Sequence, residues 1–290
     1  MNALIVVAGA TGDLGGRIIS ALHRRGATVR ALVRPETDPA KTDRLSRQGA
    51  DVWRVEFTDH AALAQACQGA SCVVSALAGL EEVIVQAQSR LLSAAVAAGV
   101  PRFIPSDFAS DYTLQAPGAN RNFDLRRTFR ARLDQAPISA TSILNGAFAE
   151  VLSYNIPLLD FRQQQVDADW RIDFTTKDDT ASFTAAAALD PATPRFLRIA
   201  SFQPSPRELV ALAEAAGKGR FTLVRLGSRA DLAAAIRRAR AANPAGEQQL
   251  YADWLQMQYL LSMFSVQNPA LDNARYPELT WTNPITFLTA

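Results

Sequence analysis

Two spacings of apolar residues alternate along the first half of the chain. Leu4–Ala8 is an apolar run too short for a helix and rich in β-branched residues, which predicts a strand buried on both faces. Ile18, Ile19 and Leu22 then recur at helical spacing and predict an amphipathic helix. The exchange repeats. Ala27–Val33, Ala50–Val55, Cys72–Leu77, Arg102–Pro105 and Ile138–Leu144 read as further strands. Ala61–Cys67 capped by Asp59, Glu82–Ala98 ended by Gly99 and Pro101, and Asn122–Leu133 read as helices. Strand and helix in alternation predict an α/β fold with a doubly wound parallel sheet.

The second half loses this regularity. Leu152–Leu159 is apolar but interrupted by Pro157, and Gln163–Phe174 reads as a strand or hairpin around Trp170. Asp178 or Asp179 is placed to cap a helix reaching Leu189, and Arg195–Ile199 reads as a strand. Ser205 is placed to cap a helix over Glu208–Ala216, and Phe221–Leu226 reads as another strand. Leu232–Ala242 and Gln248–Phe264 read as helices, while Leu279–Phe287 has no regular period. The expected division is a first lobe over 1–150 and a smaller α+β substrate lobe over 151–290. Segments near 178–201 are expected to return to the first lobe.

The first strand and first helix are joined by Gly9, Gly12 and Gly15 in a G-x-x-G-x-x-G spacing, with Thr11, Asp13 and Leu14 between them. Strand, glycine turn and helix together place backbone N–H groups and a positive helix end against a diphosphate. The plainer reading is a glycine-rich turn with no ligand. Arg34 ends the second strand and Lys41 follows, a pair of cations suited to the 2′-phosphate of NADP(H). Glu36 is the competing feature, as a ribose ligand, and solvated loop charges are the plain alternative. Phe57 and Thr58, at the exit of the third strand, are candidate adenine contacts, though Phe57 also suits the core. Ser75, Ala76 and Leu77 end the fourth strand. With Pro105, Ser106 and Asn145 beyond the fifth and sixth strands, they complete the candidate cofactor set.

Composition narrows the function classes. Of 290 residues, 48% are hydrophobic and 20% charged, and the net charge is +2. That is ordinary for a globular protein and implies no polyelectrolyte partner. The arginines between Arg121 and Arg132 lack a recognisable nucleic-acid module, so no nucleic acid is expected. Cys67 and Cys72 suit small core positions, and neither they nor His23 and His60 fall in metal-ligand spacing, so no metal is expected. No apolar run approaches the roughly 20 residues that span a bilayer, and no basic segment opens the chain. A cytoplasmic protein without membrane contact is expected.

Several stretches resemble a known family. VVAGATGDLGGRI at Val6–Ile18, ALVR at Ala31–Arg34, EFTDHAAL at Glu56–Leu63, RFIPSDFASD at Arg102–Asp111 and the stretch around Asp179-Thr180-Ala181 resemble the NmrA-like and isoflavone-reductase-like group. This group belongs to the atypical short-chain dehydrogenase/reductase superfamily. The resemblance implies a Rossmann lobe, NADP(H) binding and a smaller substrate lobe. It also implies a fork, between reductases of phenolic or quinone-like substrates and redox-sensing regulators.

The residues bear on that fork. No tyrosine among Tyr112, Tyr154, Tyr251, Tyr259 and Tyr276 has a lysine four positions on, so the usual Tyr-x-x-x-Lys pair is absent. In the reductase branch of the resembled group a lysine lies on the helix before the sixth strand. Counting back from Ile138, that position falls on Arg126. An arginine cannot shuttle a proton, but it can stabilise a developing oxyanion. Candidate proton donors are Tyr112, Ser106, Asp107, or a water held by Asn145. Phe148, Trp170, Phe174, Phe183, Trp254 and Phe264 read as pocket walls or as core. Two readings stand. One is an NADPH-dependent reductase of a small carbonyl, quinone or aromatic substrate. The other is a non-catalytic NADP(H)-sensing regulator with a protein partner. A homodimer is open in either.

Overall fold

Strand β1 (Leu4–Ala8) lies inside a six-stranded sheet and is followed by α1 (Asp13–Arg24). The chain continues through β2 (Thr28–Val33), α2 (Pro39–Arg47), β3 (Ala50–Arg54), α3 (His60–Cys67) and β4 (Cys72–Ser75). Then come α4 (Gln88–Ala97), β5 (Arg102–Ile104), α5 (Arg121–Leu133) and β6 (Ser139–Ala140). The strand order is β3-β2-β1-β4-β5-β6, and every neighbouring pair is parallel. Val6 pairs with Arg30 on one side and Val73 on the other. Ile5 to Ala8 are wholly buried, which is why this strand is a continuous apolar run. The chain moves outward from β1 in one direction through β2 and in the other through β4. That reversal opens a crevice at the carboxyl ends of β1 and β4. The computed structural model describes residues 2–152, 168–221, 227–268 and 270–289.

The residues form two compact units. The first comprises 1–108, 125–143 and 180–197, the second 109–124, 144–179 and 198–290. In the first, Leu63 and Ala66 of α3 and Leu91, Leu92 and Ala95 of α4 pack with Val73, Phe103 and Phe129. The Phe103 and Phe129 rings lie 6.2 Å apart. Arg102 is buried, and its guanidinium donates to the carbonyls of Ala187 and Ala188, 2.9 Å and 3.2 Å away. Cys67 and Cys72 are buried and unbridged, and burial pushes their thiols up to about 11 and about 12.

Beyond β7 (Ser142–Leu144) come β8 (Ala147–Phe148), β9 (Phe174–Thr175), α6 (Lys177–Leu189) and β10 (Phe196–Arg198). The chain ends with α7 (Pro206–Ala215), α8 (Arg229–Ala242), α9 (Asp253–Met263) and α10 (Pro284–Thr289). Strand β8 pairs with β9, and β7 with β10. Ile172, Phe174, Phe202, Leu209, Leu260 and Met263 form the core of the second unit. Asp59 caps α3 through the Ala62 N–H, and Ser205 and Glu208 form a reciprocal capping box on α7.

Five expected elements differ. The sixth strand divides at Thr141, because the Thr141 N–H donates to Phe103 while the next, that of Ser142, donates to Arg195. The helix expected over Glu82–Ala98 begins as a π-helix, Glu82–Ala87. Thr176 caps α6: its Oγ1 accepts the Asp179 N–H, while the Asp179 carboxylate accepts from Ser201 Oγ and the Thr282 N–H. The helix expected from Gln248 starts at Asp253, after a 3-10 turn over Pro244–Gln248. The strand expected at Phe221–Leu226, beyond Phe221 itself, and the segments 153–159 and 163–167 lie outside the described residues. The strand or hairpin expected around Trp170 is not formed where the chain is described: 168–169 turn, Trp170 to Asp173 run irregularly, and a strand begins only at β9.

Asp173 in the second unit is buried and accepts from Gln203 Nε2 at 2.6 Å and Asn268 Nδ2 at 2.7 Å. Burial raises its pKa above the ordinary 3.8, against the two amides, which lower it. A raised folded pKa means that the native state holds this proton more tightly. The associated stability is complete below 3.8 and is lost as pH rises through the folded value. Urea unfolding of wild type and Asp173→Asn across that range is expected to show wild type losing stability relative to the variant as pH rises.

Candidate functional site

The glycine turn after β1 is tightly built. Gly9 has φ +77° and lies against the exit of β4. A Cβ there would fall on the Ala76 carbonyl oxygen and 2.9 Å from the Leu77 nitrogen. A Cβ on Gly15 would fall on the Gly9 carbonyl oxygen and 2.9 Å from its carbon. Strand, turn and helix therefore touch backbone to backbone. Gly12 is the N-cap of α1 and brings no side chain to cap it. The first-turn N–H groups are left to an outside anion. Asp13 in that turn is paired with Arg17 at 2.8 Å, which offsets its charge.

At the exit of β2, Arg34 forms an exposed ion pair with Glu36 at 3.2 Å. Asp38 caps α2 through the Ala40 N–H, and Lys41 is exposed in the first turn. Two arginines that sequence reading passed over bracket this loop. Arg54 of β3 donates to the carbonyls of Pro35 (2.5 Å) and Thr37 (2.9 Å). Arg44 of α2 donates to the carbonyl of Thr11 in the glycine turn at 3.3 Å. Phe57 packs against the core of the first unit, whereas Thr58 is exposed.

Ser75, Ala76 and Leu77 follow one another out of β4, and Ser75 is wholly buried. Its Oγ has no hydrogen-bond partner among the described residues. Ser106, next to Pro105, donates its hydroxyl to the Leu77 carbonyl at 2.5 Å, which joins the β4 and β5 exits. Gln88, also unmarked by sequence reading, is wholly buried. Its Oε1 accepts the Ser106 N–H at 2.8 Å and its Nε2 donates to Ile84 at 2.9 Å. The available signal was a polar residue on the buried helix face shared with Ile84, Leu91 and Ala95.

The candidate catalytic residues are buried or half-buried. Asp107 is 1% exposed, and its Oδ2 accepts from Ser142 Oγ at 2.6 Å. Ser142 Oγ in turn accepts from Arg195 Nη1 at 2.6 Å, and Arg195 is paired with Asp134 at 2.8 Å. Arg126 is half-buried on α5. In the second unit Tyr112 is wholly buried, with its ring 6.3 Å from that of Phe123. Asn145 is also wholly buried, and neither atom of its amide has a partner among the described residues. Its carbonyl accepts from Thr175 Oγ1 at 2.6 Å. Of the aromatic candidates, Phe174 and Phe264 are core residues of the second unit with Trp170 packed against them, and Phe183 is buried. Among the described residues no group of three or more His, Cys, Asp or Glu is placed to hold a metal ion. No described helix is long and apolar enough to cross a membrane.

Comparison with known proteins gives one consistent result. The profile of the NmrA-like family matches residues 1–219. Pinoresinol reductase 2 of Arabidopsis thaliana is 31% identical over 207 residues, and the match covers 65% of each chain. Among solved structures, an isoflavone reductase aligns with a TM-score of 0.80 at 22% identity, covering 99% of both chains. An NADPH-dependent quinone oxidoreductase from Escherichia coli, complexed with NADPH, aligns with a TM-score of 0.74 at 23% identity, covering 98% of both. At these identities the structural likeness is one of fold.

Proposed function

We propose, from the premise that the chain belongs to the NmrA-like family, that it binds NADP(H) on its first unit and reduces a small carbonyl, quinone or aromatic substrate. The observation that carries this reading is the glycine turn, packed backbone to backbone against the exit of β4, which brings no side-chain cap to the start of α1. That arrangement suits a diphosphate, through backbone N–H groups and the helix dipole. Ser75 Oγ, buried and without a partner among the described residues, fits a polar ligand at the end of β4. Arg34 and Lys41 offer cations to a 2′-phosphate. Ala76, Leu77, Pro105 and Ser106, at the joined exits of β4 and β5, are assigned as further cofactor contacts. The relatives named as reductases, and the quinone oxidoreductase complexed with NADPH, support the same reading.

NADPH, when bound, supplies the hydride, and the chain must position the acceptor and manage one proton. Arg126 is assigned to charge: a guanidinium stays protonated and steadies a developing oxyanion without giving up a proton. The unpartnered amide of Asn145 is assigned to hold a polar ligand, such as the water that delivers the proton. Asp107 and Tyr112, both enclosed, are assigned to support.

The enclosure of those two groups and the arginine at position 126 also favour a second reading, a non-catalytic NADP(H) sensor. Absorbance of the reduced nicotinamide, followed with a panel of quinones and enones, separates the two. Acceptor-dependent consumption of NADPH is expected for a reductase. Binding without consumption on any acceptor would move the assignment to the sensor.

A further inference from the structure

Gln88 stands where two helical registers meet. The π-helix Glu82–Ala87 ends against it, and α4 (Gln88–Ala97) begins with it. In an unbroken α-helix the Gln88 N–H would go to the Ile84 carbonyl, four residues back. Here it goes to the carbonyls of Val83 and Val85 instead. The Ile84 carbonyl is taken by the Gln88 side chain, whose Nε2 donates to it at 2.9 Å. The other end of the same amide, Oε1, accepts the Ser106 N–H at 2.8 Å. Short π turns within helices gather at functional sites, which asks what this one serves.

The two partners admit one orientation of the amide. A carbonyl only accepts and an N–H only donates, so Nε2 must face Ile84 and Oε1 must face Ser106. Gln88 is wholly buried and Ser106 nearly so, and each bond keeps a buried polar group from going unpaired. Strand β5 stops at Ile104, so the Ser106 N–H lies past the sheet. From Ser106 the line of bonds continues, because its hydroxyl donates to the Leu77 carbonyl at 2.5 Å. The π turn, the exit of β5 and the exit of β4 are thus tied together in series through Gln88.

Strand order says which part of the crevice this tie holds. The diphosphate is assigned to the turn after β1, and the adenosine end to the exits of β2 and β3, where Arg34, Lys41 and Thr58 stand. The nicotinamide half is then left to the opposite side, at β4 and β5. We infer that Gln88 is a positioning residue: through Ser106 it fixes the joined exits of β4 and β5 for the nicotinamide half of the cofactor. The π turn is the local device that frees the Ile84 carbonyl for its side chain. The inference rests on the cofactor reading above and adds to it a buried residue that acts through Ser106.

Calorimetric titration of the full chain with NADP+ and with adenosine 2′,5′-bisphosphate, which lacks the nicotinamide half, tests it. Wild type is expected to bind NADP+ more tightly. Gln88→Met fills similar space without either bond. It is expected to lose about tenfold in affinity for NADP+ and to keep its affinity for the bisphosphate within about twofold. Gln88→Glu is the second variant, and decides where Gln88→Met does not fold. Protonated, its carboxyl reproduces the donor and acceptor of the amide; ionised, it turns a bare oxygen on the Ile84 carbonyl. Relative to wild type, its affinity for NADP+ is expected to rise as pH falls from about 8 to about 5, the range in which a buried carboxyl takes up a proton. Altered packing alone would give no such profile. Equal loss of both ligands in Gln88→Met, loss of neither, or a Gln88→Glu profile parallel to wild type overturns this inference alone. A wild type that binds both ligands alike, gaining nothing from the nicotinamide half, also overturns it alone. A wild type that binds neither overturns the cofactor reading and this inference with it.

Discussion

Alanine at position 9 is expected to destabilise the first unit by roughly 2–5 kcal/mol and to abolish nucleotide binding. Two costs combine. The backbone at Gly9 sits at φ +77°, where an L side chain is strained. The new methyl would also meet the Ala76 carbonyl and Leu77 nitrogen, which are backbone of β4's exit and cannot rotate away. Gly26 is the control. It has the same φ of +77°, but a Cβ there meets nothing within 4 Å. Gly26→Ala is therefore expected to cost only the conformational part, about 1 kcal/mol. Denaturant midpoints of the two variants measure the difference. Equal midpoints would mean that the turn does not rest on β4 as described.

Loss of the Asp107 carboxylate is the second large effect. In Asp107→Ala the Ser142 hydroxyl loses its acceptor, and Arg195 loses the carboxylate it reaches through Ser142. An unfolding penalty of about 2–4 kcal/mol is expected for breaking a buried, charge-linked set of this kind. Asp107→Asn retains an acceptor oxygen and is expected to recover part of the loss. With Asp107 assigned to support, activity per folded molecule in Asp107→Asn is expected to match wild type, with an unchanged pH profile. A large fall in kcat with unchanged stability would return Asp107 to the catalytic set.

The glycine turn was legible because its chemistry is local. Gly9, Gly12 and Gly15 occupy fixed places relative to one strand and one helix, and the alternation of Leu4–Ala8 with Ile18, Ile19 and Leu22 locates both. The caps at Asp59 and Ser205 were legible for the same reason. The division of the sixth strand at Thr141 was not, because the partner of Ser142 is Arg195, more than fifty positions away. Distance in sequence also hid Asp107, whose surroundings are set by Ser142 and Arg195. The cap of α6 was misplaced by competition: Asp179 suits a helix start, but its carboxylate is drawn to Ser201 and Thr282, leaving Thr176 to cap. Gln88 and Arg44 left only the faint signal of a polar residue on a particular helix face, and neither lies in a motif.

An NADP(H) cradle on the first unit must distinguish the phosphorylated from the unphosphorylated nicotinamide nucleotide. Titration of the full chain with NADPH and with NADH, read by nicotinamide fluorescence, tests that most directly. Saturable binding of NADPH is expected, with affinity for NADH lower by about tenfold or more, the scale set by losing charge-assisted bonds to one phosphate. No saturable binding of NADPH, or equal affinity for both nucleotides, would contradict it.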